Sequence, residues 1–146
     1  MEDTLIIISC GKRKYKGEHL AKDLYCAPMF KKSRAYAELN SKHWRILSAK
    51  YGVLHPDDKV HNYDHTIKDK TATELNNWNN KVSKQLQPFI NWKITLLAPA
   101  AYCGWINNFK HVDMPLKGIS LGFRNQWLYR QIQNHNQKTL WEKNTK

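Results

Sequence analysis

Thr4-Leu5-Ile6-Ile7-Ile8-Ser9, with Cys10-Gly11 directly behind it, decides the fold. A short β-branched run without polar alternation reads as a strand buried on both faces, the kind found in parallel sheets. Gly11 ends it. Similar runs follow at His43-Trp44-Arg45-Ile46-Leu47-Ser48 and Lys93-Ile94-Thr95-Leu96-Leu97-Ala98, and a shorter one from His111 to Met114. Helical patterns lie between them. Pro28 opens the first, which runs to about Ser41, since Pro fits a first helical turn; Phe30, Ala35, Ala37 and Leu39 give it an apolar side. Thr71-Ala72-Thr73-Glu74 is a capping box that predicts a helix from near Thr71. Leu75, Trp78, Val82, Leu86 and Phe89 follow at spacings of three and four, and Pro88 ends the pattern. Pro99 starts a short helix through about Phe109, and a final helix is expected from about Phe123 to Asn134. Strands alternating with helices predict a single α/β domain over residues 1–136: a mostly parallel sheet of about four strands flanked by helices, Rossmann-like in arrangement. Residues 137–146 read as a polar tail in which Trp141 is the residue able to dock.

A chain of 146 residues supports one core and needs no staple. Its 41% hydrophobic and 12% aromatic content excludes a disordered tail as the whole answer. No apolar run approaches the roughly 20 residues of a membrane span. The start, Met1-Glu2-Asp3-Thr4, is acidic and leads at once into a strand, unlike a signal or transit peptide. Cys10, Cys26 and Cys103 are widely spaced and form no CxxC, so reduced thiols in a cytoplasm are expected rather than a disulfide framework or structural zinc. Lys plus Arg is 24 against 12 for Asp plus Glu, a net charge of +12. Such an excess points to a polyanion as partner, whether DNA, RNA or a phosphorylated small molecule; the plainer use is solubility. The charge is spread out, densest from Lys12 to Lys32, with no run of five like charges to make a disordered basic arm.

Ligands of open α/β sheets sit beyond the carboxyl ends of the strands. That rule selects the segments Cys10–His19, Ala49–Lys70 and Ala98–Cys103. In Ser9-Cys10-Gly11-Lys12-Arg13-Lys14, a glycine at a strand end lets backbone amides approach an anion. Lys12 and Lys14 are placed to meet phosphate, with Lys12 also a catalytic candidate, and Cys10 is a candidate nucleophile beside cationic neighbours. The pattern is not a Walker loop, and the competing structural reading is a solvated basic turn with a packed cysteine. In Ile46–Pro56 and on to His65, Ser48 and Lys50 lie on one side of an extended chain, able to hold a phosphate or a carbonyl oxygen. Gly52 follows, Tyr51 and Tyr63 are candidate stacking platforms for a base, and Asp64 and His55 are candidates to move a proton. The competing reading is a long loop ordered by its own aromatics, although loops of this length are usually functional. His55, His61 and His65 do not make a metal set, for no HExxH is present and the segment is not helical in pattern; neither metal nor cofactor is expected. In Pro115–Leu128, Gly118 and Gly122 precede a helix, and Arg124 and Gln126 are placed to read a ligand; the alternative is a loop plus a core helix carrying Trp127 and Leu128. Basic and aromatic residues interleave at Lys31/Lys32/Arg34/Tyr36, Trp44/Arg45 and Arg124/Trp127/Arg130, which suits single strands or flipped bases.

Taken together, LIIISCGKRK at Leu5–Lys14, Asp23-Leu24-Tyr25, Phe30–Tyr36, ILSAKYGVLHP at Ile46–Pro56 with Tyr63-Asp64, and Pro115-Leu116 with Gly118 resemble a bacterial and phage family, domain of unknown function 6884. The ILSAKYGVLHP stretch is also similar to the YaaA peroxide-stress family, and the strand–Cys–Gly–x–x–Lys loop more faintly to archaeosine synthase. Two departures stand out: Asn62 occupies a position where the family often has Pro, and Ser120 to Arg124 are spread differently ahead of Gln126-Trp127-Leu128. The resemblance implies an α/β, YaaA-like fold and an association with nucleic acids or nucleotides, without supplying a reaction. The expectation is a nucleotide- or nucleic-acid-processing protein that acts on a base or glycosidic bond. Its rivals are a non-catalytic DNA or RNA binder and an inhibitor of another protein.

Overall fold

Leu5 to Ile8 are buried on both faces because their strand, β1 (Thr4–Ser9), lies in the middle of the sheet. The structure is a computed structural model describing residues 3–144, with side chains through residue 138. On one side β1 pairs in parallel with β3 (His43–Ser48), from Leu5 opposite His43 to Ser9 opposite Leu47. On the other it pairs in parallel with β6 (Lys93–Leu97), which in turn pairs in parallel with β7 (Val112–Asp113). A short β4 (Gly52–Leu54) folds back antiparallel on β3, giving the order β4-β3-β1-β6-β7.

The helices cover both faces. Helix α2 (Pro28–Asn40) connects β1 to β3, and α3 (Ala72–Gln85) lies on the route from β3 to β6, which adds to the far side of β1. The winding direction therefore reverses between β1 and β6, and a crevice opens at such a reversal. Leu5 and Ile7 point to the α3 side, with Leu47, Trp78, Val82, Leu96 and Trp105. Ile6 and Ile8 point to the other, with Phe30, Ala37, Ile46 and Leu128. Leu128 belongs to α4 (Leu121–Asn144), which packs on α2. The four predicted strands are all present in one mostly parallel sheet, which gains β4 as a fifth.

The predicted loops hold more structure than the pattern suggests. An antiparallel ribbon of β2 (Glu18–Leu20) and β5 (Lys59–His61), with the single-turn α1 (Ala21–Leu24), is built from Cys10–His19 and Ala49–Lys70 and their borders. Three-residue strands are too short to show a period. The helix expected from Pro99 to Phe109 is instead two 3-10 turns, Ala100–Tyr102 and Ile106–Asn108. Gly104 lies between them, with the end of the Asn79 side chain packed so close that it would have to move to admit a β-carbon. The final helix does not stop near Asn134 but continues to Asn144, because neither Gly nor Pro occurs after Gly122. The expected tail from residue 137 thus starts within a helix; docking of Trp141 falls outside the described side chains. Among the described residues no helix is long and apolar enough to cross a membrane.

The capping box forms as read. Thr71 Oγ1 accepts from the Glu74 amide and Glu74 Oε1 accepts from the Thr71 amide, each at 3.1 Å. Thr71→Ala is expected to lower stability by about 1 kcal/mol in urea denaturation. The hydrogen bond from the Thr71 amide, and after it the Thr71 hydroxyl, holds the Glu74 carboxyl below its usual 4.5. Its contribution is therefore fully present above pH 4.5 and lost as the pH falls through the lowered value, a loss that Glu74→Gln should abolish.

Candidate functional site

Parallel pairing puts the ends of β1 and β3 side by side, and the Cys10 amide donates to the Leu47 carbonyl at 2.9 Å. Ser48, fully buried at the end of β3, turns the chain: its Oγ accepts from the amides of Lys50 (3.2 Å) and Tyr51 (3.1 Å). Gly52 completes the turn at φ +76°, a left-handed conformation in which a β-carbon would run into Gln85. Gln85 in turn ties the hairpin to α3, accepting from the Val53 amide and donating to the Tyr51 carbonyl.

Over this turn lies a chain of three hydroxyls. Tyr63 Oη is 2.7 Å from both Ser48 Oγ and Tyr25 Oη. Tyr25 and Tyr51 meet the Tyr63 ring edge-on. Two ammonium groups flank that ring, Lys14 Nζ at 4.2 Å and Lys50 Nζ at 5.9 Å from its centre. Lys14 also donates to the Lys12 carbonyl. On the other side, Cys10 Sγ is 3.6 Å from Tyr102 Oη. Tyr102 stands edge-on to Trp78, whose indole N–H donates to the Ser48 carbonyl at 2.9 Å. The ends of three strands are thereby tied into one cluster.

Burial pushes the phenols of Tyr25, Tyr63 and Tyr102 well above their ordinary range, and the neighbouring Cys10 sulfur adds to it. They serve as neutral hydrogen-bonding groups at physiological pH, not as ionised bases. Burial lowers the Lys14 ammonium, opposed by Cys10, Asp64 and Cys26. Asp64 is exposed and lines an open hollow with Lys50, Asn62, Tyr63 and His65.

Ser48, Lys50, Tyr51, Tyr63 and Asp64 thus converge with Cys10 and Lys14, so residues of the first two predicted loops meet in one cluster. Lys12 is exposed beside Lys14. Ser9, Gly11 and Arg124 line a cavity of about 180 Å³ behind Cys10, between the ends of β1 and β6. His55 is not in the cluster; it sits in a surface turn, where its Nδ1 accepts from the Asp57 amide. Gly118 is not there either; at φ +84° it shapes the turn before α4. His61 and His65 are engaged separately, by the Asn62 carbonyl and by Lys70, and no group of three potential metal-ligating side chains occurs among the described residues. A larger open hollow of about 720 Å³ lies at the opposite, amino end of β6 and β7, away from the thiol and hydroxyls.

Three members of the cluster were not singled out from sequence. Tyr102 falls in the suspected Ala98–Cys103 segment, and that was the available signal. Trp78 reads only as a helix-face residue, and Tyr25 enters only through the Asp23-Leu24-Tyr25 segment of the family resemblance, without a role.

Part of the chain is similar to the uncharacterized protein YfjM of Bacillus subtilis (strain 168), 43% identical over 70 residues, covering 43% of this chain and 47% of YfjM. The chain thus matches under half the length of that relative. A broader match runs over residues 5–130, from β1 into α4, and takes in the whole cluster around Cys10 and Tyr63. On that match the chain belongs to DUF6884, a family of unknown function.

Proposed function

We propose that the strand-end cluster binds a nucleotide or nucleic acid and acts on its base or glycosidic bond. The observation that supports this is the placement of two ammonium groups, Lys14 and Lys50, against one aromatic ring at the carboxyl end of a parallel sheet. Ammonium groups beside aromatic faces suit phosphate and base together. In this reading Lys14 and Lys50, with Lys12 nearby, hold phosphate, and Tyr51 offers the base a ring. Tyr63 and Ser48 supply neutral hydrogen bonds. Asp64 moves a proton and Cys10 is the nucleophile in reach. The similarity of the Ile46–Pro56 stretch to the YaaA family belongs to the same proposal, as does work in a reducing cytoplasm, to which the three free thiols are suited. A non-catalytic binder is the second reading, favoured by the net charge of +12.

Fluorescence anisotropy with duplex DNA, single-stranded DNA, tRNA and mononucleotides, from about 50 to 200 mM salt, tests it. The expected result is binding of at least one form with affinity falling steeply as salt rises. Asp64→Asn then separates the two readings: an enzyme keeps binding and loses turnover, measured by nucleoside mass spectrometry, whereas a plain electrostatic binder only binds slightly tighter. Absence of binding to every form at low salt removes the proposal and leaves the charge to solubility or a protein partner.

A further inference from the structure

The cavity behind Cys10 differs in chemistry from the tyrosine cluster. It lies where the winding reverses, between β1 and β6, and the first turn of α2 forms one wall. That turn has no side-chain cap at Ala27, and Pro28 carries no N–H. The amides of Met29 and Phe30 are therefore left without helical partners, in a stretch of chain that lines the cavity. One turn on, Ser33 also lines it, 5% exposed and with no hydrogen-bond partner for its hydroxyl among the described residues. The residue is buried, but its oxygen stays open to the cavity, where it is free to meet a partner.

Arg124 faces the same space from α4, which begins there at Leu121. Its Nε is committed to the Ile119 carbonyl at 2.9 Å, leaving both Nη atoms uncommitted among the described residues. No Asp or Glu lines the cavity among the described residues. Two helix starts, a guanidinium and a free hydroxyl thus converge, and both helix dipoles favour negative charge at that place. The remaining walls are largely apolar, including Phe30, Leu97 and Leu116.

We propose that this cavity is an oxyanion subsite that takes the terminal phosphate of a phosphomonoester, held by the Met29 and Phe30 amides, Ser33 and Arg124. The inference rests on the nucleotide reading above and divides its phosphates: the terminal one enters this cavity, and Lys14 and Lys50 meet the further phosphates of a longer ligand. A strand passing through needs an open groove, whereas about 180 Å³ between two helix starts accommodates one chain end. A free mononucleotide and the 5′ end of a nucleic acid offer this same group.

Calorimetry with adenosine 5′-monophosphate against adenosine, and with a 5′-phosphorylated oligonucleotide against its 5′-hydroxyl form, tests it and separates the two sources. The phosphorylated partner of at least one pair should bind tenfold tighter or more. Arg124→Gln should remove that preference, and Ser33→Ala should reduce it several-fold, while binding of the unphosphorylated partner is retained. Thermal melting with inorganic phosphate provides a second readout: wild type should be stabilised and both variants should not. Equal binding of both partners in each pair overturns the subsite, and so does a preference that survives in both variants. If oligonucleotides bind without regard to their 5′ end and adenosine 5′-monophosphate binds no tighter than adenosine, the subsite alone fails; if only the mononucleotide pair shows the preference, the free mononucleotide is the source. If phosphate stabilises only the wild type and no nucleotide binds, the subsite stands and the nucleotide reading falls.

Discussion

Trp78→Ala should destabilise the protein by about 3–5 kcal/mol, as large aromatic deletions in cores do. Trp78 is 3% exposed in the core beneath the sheet and also carries part of the site, since its indole supports Tyr102 and its N–H satisfies the Ser48 carbonyl. Trp78→Phe separates these roles: most of the volume remains and the donor is lost, at an expected cost of about 1–3 kcal/mol for the unpaired carbonyl. Urea denaturation of both variants checks this. A loss below about 1 kcal/mol for the alanine variant would show that the surroundings collapse into the space and that the tie to Ser48 contributes little.

Lys14→Gln combined with Lys50→Gln should weaken nucleic-acid binding by about 10- to 100-fold near 0.1 M salt. The log–log salt slope should become shallower by roughly 1.8 on duplex DNA, from about 0.9 for each of two phosphate contacts. An unchanged slope would place the contacts elsewhere on this basic surface. Stability should respond in the opposite sense. Because burial lowers the Lys14 ammonium below its usual 10.5, the folded state disfavours that proton relative to the unfolded chain. The penalty is full at low pH and is relieved as the pH climbs from the lowered value towards 10.5, so stability gains with pH across that window. Lys14→Gln should flatten this gain in denaturation curves taken at several pH values.

The elements with length and period were legible in the sequence. The run at Leu5–Ile8, the Thr71–Glu74 box and the Leu75/Trp78/Val82/Leu86 face each state their structure locally. What was not legible depends on contact between distant segments. Strands β2, β4 and β5 exist through their partners, and Gly104 meets the Asn79 side chain from a distant helix. The same holds for the site. Lys14, Ser48, Lys50, Tyr63 and Asp64 were visible as residue types beyond strand ends. The roles of Tyr25, Tyr102 and Ser33 arise from what faces them across the fold. His55 and Gly118 show the converse, with suggestive chemistry nearby in sequence whose spatial place is a turn.

The sheet ends in strands of only three and two residues, β4 and β7. Beside β4, the outer rim of β3 has no strand partner at His43, Trp44 and Arg45, and the Arg45 guanidinium lies over the Phe89 ring. Short borders and a bulky cation offer a poor template to the backbone of a second molecule. The fully apolar strands stay interior, and a chain with so much β-branched sequence is thereby shielded from stacking rim to rim. Concentrated solutions should scatter little light while the native state holds, and clouding should begin only when heat uncovers Leu5–Ile8.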